Sequence, residues 1–100
     1  MDISVNELKN KLDKGEAFIF IDVREPEEYQ EYNLGAKLIP LGNVDSIPKE
    51  YAQHKNDEIV VHCRSGARSG RTVEYLQSQG FTNARNLLGG VLAWQDTFGK

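Results

Sequence analysis

The chain has 100 residues, 12 Lys+Arg against 15 Asp+Glu for a net charge of −3, and 39% hydrophobic and 27% charged residues. That balance describes one ordinary globular domain over residues 1–100, able to bury roughly 60–65% of its unfolded surface, and excludes a disordered or fibrous chain. No apolar run approaches the ~20 residues of a membrane-spanning helix, so no membrane is expected as partner, and the mild acidity argues against nucleic acid.

Met1-Asp2-Ile3-Ser4 has neither a basic nor an apolar leader region, so a cytoplasmic protein is expected. Ser4-Val5-Asn6-Glu7 has the spacing of a capping box, in which Ser4 and Glu7 bond each other's amides, with Ile3 and Leu8 at the staple positions. Val5, Leu8 and Leu12 form an apolar stripe, and Gly15 stops the helix. Phe18 to Val23 is a continuous apolar strand without alternation, as in strands buried on both faces. Pro26 suits the first turn of a short helix, and Glu27 and Glu28 suit its positive end. A second short strand is expected over Lys37 to Leu41, then a weak helix over Ser46 to His54 with Pro48 near its start. Glu58 to Cys63, rich in β-branched residues, is the clearest strand. A loop leads into a helix that stops at Gly80, Ala84 to Leu87 forms a last strand, and Gly89-Gly90 opens a final helix through Ala93, Trp94 and Phe98. Alternating strands and helices predict an α/β domain with a mostly parallel central sheet of four or five strands, flanked by helices on both faces.

The chemistry concentrates after the clearest strand. Cys63 is the one cysteine, which excludes an intrachain disulfide, a CxxC redox pair and a multi-cysteine zinc site. It ends a strand and precedes a helix that begins near Arg68, which puts it at the carboxyl edge of a parallel sheet, where open α/β folds bind ligands. The amides of Arg64, Ser65, Gly66, Ala67 and Arg68 can turn inward over the sulfur, with the helix N-terminus beneath. Such a nest holds an anion, and a thiolate is an anion, so Cys63 is expected to titrate below the ~8.5 of a free thiol. Arg64, Arg68 and Arg71 are three of the five arginines, and no Asp or Glu occurs from Ile59 to Val73. Arg64 is expected to point outward to an arriving anion, and Arg68 to bring both its amide and its side chain near the sulfur. Ser69 is a supporting residue. Asp22, at the end of a neighbouring strand, is expected to orient a loop arginine or loop amides, while Arg24 reads as structural. His62 should point to the face opposite Cys63, and Trp94 to the core.

His62-Cys63-Arg64-Ser65-Gly66-Ala67-Arg68-Ser69 resembles the active-site loop of the rhodanese-like domains, the sulfurtransferases. Asp22-Val23-Arg24-Glu25-Pro26-Glu27-Glu28-Tyr29 resembles that family's first signature, and Gly89-Gly90-Val91-Leu92-Ala93-Trp94 its C-terminal one. The similarity runs from about Ile3 to Phe98. It implies that Cys63 is the thiolate that takes up a sulfane sulfur as a persulfide, cradled by the amides of Arg64 through Arg68. It further implies a small anionic donor such as thiosulfate or a persulfide, and a thiol, cyanide or a protein as acceptor. No metal and no organic cofactor is expected. One departure is local: where the family commonly has Gly-His-Ile-Pro-Gly-Ala, this chain runs Tyr32-Asn33-Leu34-Gly35-Ala36-Lys37-Leu38-Ile39-Pro40 and lacks the histidine.

Double displacement through Cys63 is the leading reading and implies ping-pong kinetics. A phosphatase or arsenate reductase is disfavoured, because tyrosine-phosphatase-type loops place five residues between Cys and Arg. Here Arg68 follows Cys63 after four, and Ser69 occupies the next position. The alternative is a persulfide carrier or regulatory binding module docked to a partner protein, with little thiosulfate turnover.

Overall fold

A computed structural model describes residues 2–100. Five strands, β1 (Asp2–Ile3), β2 (Ile19–Asp22), β3 (Lys37–Leu38), β4 (Ile59–His62) and β5 (Ala84–Leu87), form one sheet in the order β1-β5-β4-β2-β3. Every pairing is parallel. Four helices connect them, α1 (Val5–Asp13), α2 (Pro26–Glu31), α3 (Ile47–Glu50) and α4 (Ala67–Ser78), and α5 (Gly90–Phe98) follows β5. None is long and apolar enough to cross a membrane among the described residues.

The central strand explains its own composition. β4 pairs with β2 on one side and β5 on the other, and all four of its residues are buried. Ile59, Val61 and Cys63 join a core with Val73, Leu76 and Phe81 beneath α4. Val60 instead belongs to the opposite core, with Ile3, Val5, Leu8 and Leu87. Apolar side chains are therefore needed on both faces, and no alternation survives.

Three local expectations are corrected. Ile3 is more than a helix staple: it lies in an edge strand, opposite Leu87, and is buried with Leu8. The capping box at α1 is half formed. Ser4 Oγ accepts from the Glu7 amide at 3.1 Å, but the Glu7 carboxylate turns to Arg85 Nη1 at 2.8 Å. Of the helix expected over Ser46 to His54 only the single turn of α3 forms, preceded by a 3-10 turn (Leu41–Ser46). Ile47 is the buried anchor of that turn, while 52–57 are all exposed, so nothing beyond Tyr51 presents a face to bury.

Candidate active site

β4 delivers Cys63 to the carboxyl edge of the sheet, and the backbone reverses at Gly66 to start α4. Gly66 takes φ +103°, a left-handed conformation that a side chain would strain, and a Cβ there would sit 3.4 Å from the Gly89 nitrogen. The reversal aims N–H groups at the sulfur. Cys63 Sγ accepts from the Gly66 amide at 3.1 Å, the Ser69 amide at 3.4 Å and the Ser69 hydroxyl at 3.3 Å. Ser69 lies in the first turn of α4, whose amides have no partner within the helix, so the sulfur fills part of that deficit. The amide that reaches Sγ from this turn is thus that of Ser69, one residue beyond the expected Arg64–Arg68 stretch.

Cys63 is fully buried. Burial is the largest single influence on its thiol and pushes the pKa up. Hydrogen bonds from the Ser69 hydroxyl and amide and from the Gly66 and Ser65 amides act together in the other direction and outweigh it, leaving the thiol below its ordinary value. The donors of the loop thus favour the charged form of this sulfur.

Two residues to which the sequence reading assigned no part in the site support the cradle. Asn86, in β5, accepts from the Ser69 hydroxyl through Oδ1 at 2.6 Å and donates through Nδ2 to the Gly66 carbonyl at 3.2 Å. It thereby holds both ends of the turn. A serine hydroxyl has one proton, so Asn86 and the sulfur compete for it. Gly90 supports the loop from behind. The Val91 and Leu92 amides, in the first turn of α5, donate to the Cys63 and Arg64 carbonyls, each at 3.0 Å. A Cβ on Gly90 would run into both carbonyl oxygens, and its φ of +56° is left-handed. The Gly89-Gly90 pair was visible in the sequence, but its contact with Cys63 depends on the sheet order. Asn86 left one signal, a polar residue in the last strand of a buried sheet.

The arginines part company. Arg64 is exposed and makes no side-chain hydrogen bond or ion pair among the described residues. With Arg24, Glu28, Leu92, Gln95 and Lys100 it lines an open pocket of about 380 Å³. Arg71 is exposed on α4. Arg68 does not send its guanidinium to the sulfur. Its Nη1 and Nη2 meet the Glu28 Oε1 and Oε2 end-on at 2.7 and 3.0 Å, which holds the Glu28 carboxyl down at about 2. Ser65 and Ala67 contribute exposed side chains.

Asp22 lies apart from the loop. Its carboxylate accepts from the Arg24 amide at 2.9 Å, from Nε at 3.1 Å and from Nη2 at 2.8 Å, with both residues buried. It orients Arg24, two residues along its own chain, and neither a loop arginine nor the loop amides. Arg24 then donates to the Glu28 and Tyr32 carbonyls at 3.3 and 2.6 Å, tying α2 to β2. His62 points away from Cys63, as expected, against the Phe20 ring at 5.3 Å, and burial lowers its pKa. Trp94 packs on the same side of the sheet, edge-on to Phe98.

The family described as "Rhodanese-like domain" matches residues 4–97. The chain belongs to the rhodanese-like family. A sulfurtransferase of Allochromatium vinosum is 33% identical over 99 residues, covering 93% of this chain and 86% of its own. The crystal structure of a rhodanese-like domain protein from Staphylococcus aureus superposes with a TM-score of 0.77 at 40% identity, covering 94% of this chain and 91% of that one. The Bacillus subtilis protein YrkF, whose name describes a sulfur carrier, is 37% identical over 94 residues, which span 93% of this chain but 50% of YrkF. Several curated relatives are thus much longer than the part this chain matches. The parallel sheet flanked by helices is the fold of these rhodanese-like neighbours. The family's missing histidine falls in a turn that closes by other means: Asn33 Oδ1 accepts from the Gly35 amide at 2.9 Å, and Tyr29 donates its hydroxyl proton to the Ala36 carbonyl at 2.6 Å.

Proposed function

We propose that this chain is a sulfurtransferase that carries a sulfane sulfur on Cys63 as a persulfide. The observation that supports this reading best is the convergence of the Gly66 amide, the Ser69 amide and the Ser69 hydroxyl on one buried sulfur. Hydrogen bonds to a charged acceptor are worth about 1.5–3 kcal/mol each, so the cradle favours thiolate over thiol and would equally favour the terminal anion of a persulfide. In the first half-reaction the thiolate attacks the outer sulfur of thiosulfate, the S–S bond breaks, and sulfite leaves with the bonding pair. In the second, an acceptor nucleophile takes the outer sulfur and returns the thiolate; cyanide leaves as thiocyanate. No redox partner is required, because the sulfane sulfur moves from one thiophile to another. Arg64, unpaired at the mouth, is the side chain available to an anionic donor.

The carrier reading stands second, and one observation favours it. Arg68, which a dianion would need as a second cation, is already occupied by Glu28. A donor delivered by a partner protein would not need that charge.

Intact-mass measurement after thiosulfate treatment tests the proposal. One added sulfur atom, removed by a thiol reductant and absent from Cys63→Ser, is the expected result. Unchanged mass with thiosulfate and with a small organic persulfide would overturn it.

A further inference from the structure

The basic island of the sequence is less basic in the fold than its composition suggests. Of the three loop arginines, Arg71 lies farther along α4, beside a groove it shares with Gly70 and Glu74. Arg68 is paired through both guanidinium ends with Glu28, forty residues away in sequence. Glu28 does not reach this pairing casually. Its Oε1 also accepts from the Glu25 amide at 3.0 Å in the first turn of α2, and its main-chain carbonyl takes a bond from Arg24 Nη1. Arg24 is in turn fixed by buried Asp22. The carboxylate is therefore held in place from the β2–α2 side and projected onto the loop. With its pKa near 2 it stays charged at any working pH. Glu28 and Arg64 line the same open pocket.

We propose that Glu28 is a specificity-determining residue: by cancelling the charge of Arg68 it leaves Arg64 as the one open loop cation, and so selects sulfur donors of one negative charge over dianions. This rests on the sulfur-transfer reading of Cys63. The class selected is a small monoanionic sulfane donor, a thiosulfonate or an organic persulfide. Thiosulfate carries a second charge, and the other guanidinium lining the Arg64 pocket, that of Arg24, is committed to Asp22.

The test separates charge from reactivity. Iodoacetate and iodoacetamide are nearly the same size, and each loses iodide to an attacking thiolate. The ratio of their second-order rates at Cys63 therefore reports the potential at the sulfur and cancels its nucleophilicity. Glu28→Gln keeps a carbonyl to accept from the Glu25 amide and should raise the iodoacetate-to-iodoacetamide ratio at least threefold at low ionic strength, the effect of one unit charge several ångströms away. The double variant Glu28→Gln/Arg68→Gln replaces a neutral pair by a neutral pair and should return the ratio to within about twofold of the parent. Loading by thiosulfate, relative to loading by the monoanion methanethiosulfonate, should rise in Glu28→Gln alone. An unchanged or lower alkylation ratio in Glu28→Gln overturns the proposal. So does a double variant whose ratio drops more than threefold below the parent, since Arg68 would then already be acting on the sulfur. If neither donor loads the parent protein, the sulfur-transfer reading fails, while the alkylation ratios still judge Glu28.

Discussion

β2 and β4 are neighbours in register, Asp22 opposite His62, and each hands the chain to a helix at the same edge of the sheet. The two turns use their polar groups differently. After β4, the turn from Cys63 to Ser69 directs two amides and a hydroxyl at one sulfur and leaves Arg64 in solvent. After β2, Asp22 and Arg24 consume one another, and the remaining guanidinium donors go to main-chain carbonyls. Both regions concentrate polar groups in a buried setting, where such groups must find partners. In one the partners are all present; in the other three donors share the Cys63 sulfur. Buried charge alone does not mark a site, whereas donors that converge on one titratable atom do.

The sharpest way to break this contrast is Cys63→Ser. Serine is nearly isosteric but is not ionised at neutral pH, so thiosulfate:cyanide turnover should vanish while the cooperative unfolding transition survives. Residual turnover above a few per cent would move the chemistry away from the loop. Asp22→Ala should do the opposite. It strands the Arg24 guanidinium in a buried site at a cost of about 3–5 kcal/mol, read from urea unfolding. At temperatures where the variant remains folded, the rate of Cys63 alkylation should change less than threefold. A small stability loss would show that the β2 edge is not the structural tie that its hydrogen bonds imply.

Two smaller effects refine the loop itself. Arg64→Ala should raise the apparent KM for thiosulfate about tenfold with little change in kcat, the size of one lost charge-assisted contact. Steady-state kinetics with cyanide as acceptor provide the check, and an unchanged KM would favour the carrier reading. Ser69→Ala removes the hydroxyl but keeps the amide. The Cys63 titration, followed by alkylation rate against pH, should then move up. An unmoved titration would mean that the hydroxyl proton rests on Asn86 and not on sulfur.

The sequence carried the local part of this site and missed the distant part, for a physical reason. The strand from Glu58, the turn at Gly66 and the start of α4 are written in neighbouring residues, and the bonds from Gly66 and Ser69 to Cys63 span three and six positions. Their geometry is fixed once strand, turn and helix are assigned. The bond from Arg68 to Glu28 spans forty positions, and that from Ser69 to Asn86 seventeen. Those partners depend on strand order, which periodicity does not contain. Arg68 was expected near the sulfur because it closes the six-residue loop and opens the helix, and the carboxylate that claims it arrives on α2. Asp22 illustrates the converse: a partner across the sheet was expected, and the nearest arginine was two residues away. β1 escaped notice because two residues carry no period, and Ile3 already had a role in the helix start.

The claim that the loop donors favour the charged form of Cys63 is tested most directly by the rate of iodoacetamide alkylation against pH. The thiolate is the reacting form, so the rate rises through the thiol's own titration and levels off above it. With the Gly66 and Ser69 donors in place the midpoint should fall below the ~8.5 of a free cysteine. A midpoint at or above that value would mean that burial outweighs the cradle and that Cys63 is a core thiol.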